Sequence, residues 1–515
     1  MNALPSGRKG RAGRTLRIVS RSAASEIGRT VRSRSRRDTD AEILDGRERR
    51  ARELRATLER LGPLYVKVGQ ILATRPDLVP QYVMDELEEL NDRANVEPFS
   101  SYERVLCEEL GDDWRSRFRE VHTQEPLGAA SLAQVYKAVT ADGRPCVLKI
   151  QRPGSSQAVL GDMKVLRTVA RLLARAAPRF SEVVDVKAML ELLFVVMEDE
   201  LDFTREAKNM KDARKVAKGY SRIRVPRVIE ATPRVLVQTF AEGVPINRVK
   251  PDSFSRRQRK KIANQMISYM FRSYFVERTF HADLHPGNII ISPDGKAHLI
   301  DWGMLGKMDR DTSVSMLGVF LSLAQNDGVA MGRNWVQLGT ATPWSNVSAF
   351  IGDMSRVVPR WADASLTELN YGVALMTLMK HSSAHGIQIT PLVSVMGKSV
   401  ANLEGSLRCI HPKLKFAAAL RDTLPDIMRD VVLDSLSTEQ GAQLTLSGLK
   451  ALSNLPGQFQ ATAKDMADRQ VGLQVRTNLG DPIKAGSRHR LAGGEHIRRT
   501  ALSAIAALAT RKRYR

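Results

Sequence analysis

The chain has 515 residues, 43% hydrophobic and 26% charged, which leaves room for two or three soluble globular domains with a sizeable core. Its three cysteines (Cys107, Cys146 and Cys409) lie far apart, arguing against a disulfide framework or a cysteine-based zinc site and suiting a reducing cytosol. The formal charge of +23 sits mostly at the ends: residues 1–37 carry a net +10 and residues 484–515 a net +8, so the body between them is close to neutral.

Residues 1–40, rich in Ser, Arg and Gly, read as a disordered basic tail, and the arginines interrupt any apolar core of a secretory signal. From residue 41, "AEILDGRERRARELRATLERL" is an amphipathic helix stopped by Gly62-Pro63. Two further helical stretches follow in "LYVKVGQILATRPDLVPQYVMDELEEL", with a turn near Arg75-Pro76. Then the period changes. "PLGAASLAQVYKAVTADGRPCVLKIQRP" reads as two strands around an Asp142-Gly143 turn, closed by Pro153. Residues 156–215 are helical, "RVPRVIEATPRVLVQTF" is a second strand pair, and beyond 252 helices dominate. No run reaches the roughly 18 apolar residues of a membrane-spanning helix. The nearest, "ALSAIAALA" at 501–509, is flanked by arginines and reads as lying on a membrane rather than crossing it.

One stretch breaks the helical pattern. In "TFHADLHPGNIIISPDGKAHLIDWG" (279–303), two short apolar runs flank a Pro-Asp-Gly turn, a hairpin that brings Asn288 and Asp301 to one end. Asp283 lies five residues before Asn288. This spacing matches the phosphoryl-transfer template of one carboxylate at the acceptor and two oxygen ligands for Mg²⁺. Upstream, the small-residue loop "GAAS" allows close approach of backbone amides to phosphate, and Lys149 ends the next strand but one. Taken singly, a strand-end lysine is usually a solvated edge and an Asp-x-Gly usually a turn. Their order along one chain is what points to a nucleotide site.

These motifs resemble the UbiB/ADCK atypical kinases, a family linked to biosynthesis of isoprenoid quinones. "LGPLYVKVGQILATRPDLVP" is similar to its Lys-x-Gly-Gln signature, "PLGAASLAQVYKA" to its Ala-rich loop, "ELDFTREAKN" to its Glu-x-Asp signature and "HADLHPGN" to its catalytic loop. "HGIQITPLVSVMGKSVANLEG" resembles its C-terminal lobe, and the resemblance runs from about 58 to 415. It implies an α+β, protein-kinase-like bilobal fold with a helical N-terminal extension. The divisions expected are a tail (1–40), the extension (41–118), a small lobe (119–241), a larger helical lobe (242–415) and a helical C-terminal region with a basic tail (416–515).

The resemblance also implies roles: Asp283, Lys149 and Glu206 as catalytic residues; Gly128, Ala129, Ala130, Ser131, Lys149 and Thr239 around ATP; Asn288 and Asp301 on Mg²⁺. Lys67, Gln70, Glu200 and Asp202 are expected to regulate the site, with Lys67 on a covering helix facing Glu200, Asp202 and Asp301. Glu206 is expected to share a helix face with Asp202, and His281 to anchor the loop. Three departures stand out: Gly128 where the family usually has Ala, Trp302 in place of Phe, and Leu284 in place of Pro. His285 lacks the spacing of a metal site, and His381 and His385, four apart, have no third ligand nearby in sequence.

The function expected is an Mg-ATP-dependent kinase or ATPase, cytoplasmic and peripheral on the inner face of an anionic membrane, acting among isoprenoid quinone precursors and their biosynthetic enzymes. A catalytically silent nucleotide-binding scaffold is the alternative. Nucleic acid is not expected as a partner, because the basic tails lack interleaved aromatics or a reading motif.

Overall fold

The computed structural model describes residues 40–73, 75, 79–90, 95–176, 186–250, 252–362 and 364–435. Both basic tails, the 501–509 run included, lie outside the described residues.

Three helices open the chain: α1 (Asp40–Leu61), α2 (Pro63–Leu72) and α3 (Gln81–Glu88). Gly62 breaks α1 from α2 with a φ of 111°, and Pro63 starts α2 where its missing N–H costs nothing. Two faces of α2 are apolar. Tyr65 and Val66 pack with Leu58, Leu61, Leu87 and Leu90 from α1 and the α3 region. Gly69 permits that approach, since a Cβ there would lie 2.3 Å from Leu90 Cδ1. Leu64, Val68 and Ile71 face the other way, against Val159, Met163, Leu193 and Phe194 of the helices described next.

The small lobe is an antiparallel sheet of β1 (Phe118–Val121), β2 (Gly128–Ala129), β3 (Ala133–Thr140), β4 (Pro145–Gln151), β6 (Val228–Ala231) and β7 (Val235–Thr239), in the order β1-β3-β4-β7-β6 with β2 on β3. The β3–β4 turn is the expected one, with Gly143 at φ 85°. One face of the sheet is covered by α4 (Glu103–Leu110): Tyr102, Val105, Leu106, Leu110 and Trp114 pack on Tyr136, Leu148, Ile150, Val235 and Val237. Residues 99–117, grouped with the extension on sequence, therefore share the core of the sheet. Between β4 and β6 the chain runs through α5 (Ser155–Ala176), α6 (Val186–Glu200) and α7 (Phe203–Ala217), then β5 (Ile223–Arg224).

The helical lobe begins after β8 (Val244–Pro245) with α8 (Arg256–Phe275), started by a reciprocal Ser255–Gln258 capping box. Buried Phe271, Tyr274 and Phe275 of α8 stack edge-on with one another and with Phe280 and Phe320. Four short strands follow, β9 (Thr279–His281), β10 (Ile289–Ile291), β11 (Ala297–Leu299) and β12 (Leu305–Lys307). Then come α9 (Arg310–Ala324), α10 (Gly328–Val336), β13 (Gly339–Ala341), α11 (Val347–Ala362), α12 (Tyr371–Ala384), β14 (Ile387–Ile389), α13 (Pro391–Ile410) and α14 (Phe416–Ser435). Among the described residues, the folded unit that carries the site ends at Leu424, within α14. A sheet-containing small lobe, a helical large lobe and a helical extension are the architecture expected from the sequence.

Candidate active site

Strand β4 presents Lys149 opposite Leu236 of β7, and α7 presents Glu206 toward it. The ammonium donates to both carboxylate oxygens, at 3.0 and 2.9 Å, and stands 3.6 Å from Asp301 Oδ1. Phe203 lies beneath it, its ring centroid 5.2 Å from Nζ. Burial alone would push this lysine down, but Asp301 and Glu206 outweigh it and hold the ammonium protonated. Glu206 is raised as well, which for an acid favours the neutral form. Burial and the Asp301 charge push its carboxyl up, against the pull of Lys149. One ammonium thus serves two carboxylates, and the excess negative charge suits a divalent cation.

The hairpin β10–β11 pairs Ile289 with Leu299, and the Ile300 N–H reaches the Asn288 carbonyl at 3.1 Å. Asn288 and Asp301 accordingly emerge at one end. Around them the backbone is held by side chains. The Asp283 N–H donates to His281 Nδ1 at 3.2 Å, so the proton of this buried imidazole is on Nε2, which donates to the Asp301 carbonyl. Burial keeps His281 neutral by pushing its pKa down. Asn288 Nδ2 donates to the Asp283 carbonyl at 3.1 Å, and the Gly303 N–H donates to Asp301 Oδ1 at 3.1 Å.

Asp283 itself is gripped from α13. Asn402 Nδ2 donates to its Oδ1 at 3.1 Å and Lys398 Nζ lies 3.2 Å from the same oxygen. Burial would raise this carboxyl, yet Lys398 and Lys67 hold it well below the usual carboxylate range. Ser399 donates to the His281 carbonyl and Ser406 to that of Leu284, at 3.4 Å for the latter. Sequence reasoning assigned no role to Lys398 or Asn402. Their signal was a polar stripe, Lys398, Ser399, Asn402 and Ser406, recurring at helical spacing on a helix otherwise largely buried.

The covering residues divide. Lys67 Nζ lies 3.3 Å from Glu200 Oε1 and 3.1 Å from Met304 Sδ. Gln70 Nε2 donates to the Leu90 carbonyl. A cavity of about 30 Å³ is lined by Lys67 and Gln70 from one side and Lys398 from the other. Asp202 is elsewhere. It is the N-cap of α7, accepting from the Thr204 N–H at 3.0 Å, because a carboxylate best satisfies the open amides of a first turn. Its backbone is extended and outside the helix, so it does not share a helix face with Glu206 as the i,i+4 spacing had implied.

The loop 128–131 also differs from its expected form. Gly128 and Ala129 are strand residues paired with Val135 and Gln134, and the Ala130 N–H is held by the Ala133 carbonyl. Arg152 Nε caps the Ala130 carbonyl at 2.8 Å. A Cβ on Gly128 would meet nothing within 4 Å, so the strand does not demand glycine. The Thr239 hydroxyl accepts the Arg227 N–H, and the Thr239 N–H donates to the Arg227 carbonyl, each at 2.9 Å. Trp302 is buried, donating its indole N–H to the Leu299 carbonyl at 3.0 Å with its ring edge-on to His281.

No group of three His, Cys, Asp or Glu among the described residues is arranged to hold a metal. The donor set offered by Asp301 and Asn288, one carboxylate and one amide oxygen, fits Mg²⁺ completed by phosphate and water. His381 and His385 do gain a neighbour in space: Asp353 Oδ2 lies 2.8 Å from His385 Nε2 and 3.9 Å from His381 Nδ1, with Arg356 on the same carboxylate. That cluster ties α11 to α12.

Residues 89–334 match the ABC1 atypical kinase-like domain. The chain is 30% identical to a probable protein kinase UbiB of Azotobacter vinelandii, covering 78% of each chain. It is 32% identical to an uncharacterised chloroplastic aarF domain-containing protein kinase of Arabidopsis thaliana over 75% of its own length, spanning about half (54%) of that relative. Among solved structures it is similar to the Rv3197–erythromycin complex of Mycobacterium tuberculosis, with a TM-score of 0.48, 25% identity, and coverage of 74% of this chain and 100% of that one.

Proposed function

Because the chain belongs to the UbiB-type, ABC1 family of atypical kinases, we propose that it is an Mg-ATP-dependent phosphotransferase or ATPase. Its proposed place is an anionic membrane surface, on isoprenoid quinone precursors and alongside their biosynthetic enzymes. The observation that carries this reading is the Lys149–Glu206–Asp301 cluster, closed by Asn288 at the end of the β10–β11 hairpin.

In this reading Lys149, oriented by Glu206, holds the α/β-phosphates of ATP. Asp301 and Asn288 would hold Mg²⁺, which neutralises phosphate charge when bound. Asp283 orients the attacking oxygen and receives its proton late, because a carboxylate held this far down is a weak base. Helix α2 supports a small acceptor over a protein one: Lys67 and Gln70 lie against the site, so the extension covers a face a peptide would need. Generic peptides should therefore be poor substrates in trans.

The test is ADP release from ATP by the full chain, with and without anionic liposomes and quinone-precursor phenols. The expected result is Mg-dependent turnover that Asp301→Asn abolishes together with Mg-nucleotide affinity. Equal Mg-nucleotide affinity in wild type and variant would sink the metal assignment. Tight nucleotide binding with no turnover in any condition would favour the scaffold alternative.

A further inference from the structure

The grip of α13 on the catalytic loop contains more than anchoring requires. Ser399 and Ser406 bond the carbonyls of His281 and Leu284, and His281 ties the loop to Asp301, all without a charge. To these α13 adds an ammonium: Lys398 Nζ at 3.2 Å from Asp283 Oδ1, with both side chains 23% exposed and so reachable from the cleft. An ion pair held for stability alone has little advantage over apolar groups of similar volume. Here the carboxylate is the one beside which an anionic phosphoryl group must pass. Two anions repel at that distance unless a cation offsets them. Lys149 is committed to Glu206 and Asp301, and Lys67 lies against Glu200. The loop's nearest basic side chain, His285, uses its Nδ1 to accept the Gly287 N–H.

We propose that Lys398 is the acceptor-side cation of phosphoryl transfer, and that Lys398 and Asn402 position Asp283 through Oδ1, leaving Oδ2 for the acceptor's proton. This rests on the phosphotransfer reading above. In the step it serves, the acceptor oxygen bonds to the γ-phosphorus while the bridging P–O bond to the β-phosphate breaks. That bond's electron pair leaves with ADP, and the acceptor's proton passes to Asp283 Oδ2. Lys398 remains an ammonium throughout and accompanies the charge that builds on the phosphoryl oxygens between the two sites.

The experiment compares wild type, Lys398→Met, Lys398→Arg and Asn402→Ala for Mg-ADP affinity with and without aluminium fluoride, which mimics the phosphoryl in flight. Wild-type affinity should tighten with aluminium fluoride. Lys398→Met should lose about tenfold or more of that tightening while its Mg-ADP affinity stays unchanged, and Lys398→Arg should recover much of it. Asn402→Ala should lower kcat for ADP release more than it raises KM. A wild type that tightens and a Lys398→Met variant that tightens equally would overturn the inference alone. Loss of folding in Lys398→Met with full tightening in Lys398→Gln would mark the lysine as structural and overturn it too. No tightening in wild type would remove both this inference and the enzyme reading.

Discussion

Lys149 shows how strongly the site depends on single charges. Glu206 is 2% exposed and accepts from the Lys149 ammonium. Lys149→Met should cost on the order of 3–5 kcal/mol, since it leaves a buried carboxylate uncompensated. The double variant Lys149→Met/Glu206→Leu should recover most of that loss, as read by denaturant unfolding at pH 7. The single variant's deficit has a defined pH sign. Glu206 is raised by burial, so its protonated form is tolerated below its unfolded value near 4.5, and the deficit should grow as pH rises above that. Asp283 has the opposite sign. Held low by Lys398 and Lys67, it stays ionised above its unfolded value near 3.8, and that contribution is lost only as pH falls below it. ADP release should therefore lose no activity to Asp283 protonation between pH 8 and 5; an acid limb near 6 that Lys398→Met shifts upward, with none assignable elsewhere, would contradict the lowered carboxyl. Lys149, Asp283, Asn288 and Asp301 were legible because short spacings and strand ends reveal them. Asp202 was misread because a cap and a first-turn residue have the same sequence signature. Lys398 and Asn402 escaped because their partner lies 119 residues away along the chain for Asn402, a proximity that periodicity does not encode.

Helix α2 is the element whose two apolar faces make it a wedge. Leu64 is fully buried against α5 and α6, while Tyr65 and Val66 face α1 and α3. Such a stretch was readable as helical, yet the order in which it would be sandwiched was not, since both faces are similarly apolar. Leu64→Ala should cost about 2–5 kcal/mol, and the loss should fall first on docking of the extension. Limited proteolysis should then cut within 40–90 faster in the variant, with the small-lobe core around Tyr136 and Leu148 still intact. Lys67→Ala leaves Glu200 without its 3.3 Å partner, and should raise autophosphorylation or change nucleotide affinity. Unchanged values for both, with good phosphorylation of peptides by the wild type, would remove α2 from its covering role. The same reasoning separates what was legible in the sheets. The β3–β4 and β10–β11 hairpins were readable from turn chemistry, whereas the cover that α4 lays on the sheet is a tertiary choice: its apolar residues fit many surfaces, and only the uncovered face of β3, β4 and β7 selects them.

At the scale of the whole molecule, the charge distribution bears on the proposed membrane surface. Among the described residues no helix is long and apolar enough to cross a membrane. Of the net +23, the terminal segments 1–37 and 484–515 carry 18, so the near-neutral body that holds the site has little attraction of its own for an anionic surface. Each Lys or Arg brought near such a surface contributes about 1 kcal/mol. Even a few of these charges acting together give useful peripheral affinity, and the run "ALSAIAALA" between arginines can add an apolar face to it. An attraction of this origin is screened, because the Debye length shrinks from about 10 Å at 0.1 M salt to about 3 Å at 1 M. The full chain should therefore float with anionic liposomes at low salt, dissociate as salt rises, and ignore neutral liposomes. Deleting 1–40 and 484–515 together should abolish flotation while leaving Mg-nucleotide affinity as it was, since the Lys149, Asp283 and Asp301 clusters lie wholly within the body. Deleting 484–515 alone should weaken binding more than deleting 1–40, despite its smaller net charge, if 501–509 inserts its apolar face. Equal losses would mean that charge alone holds the protein at the surface, and undiminished flotation of the doubly truncated chain would place the membrane contact on the body instead.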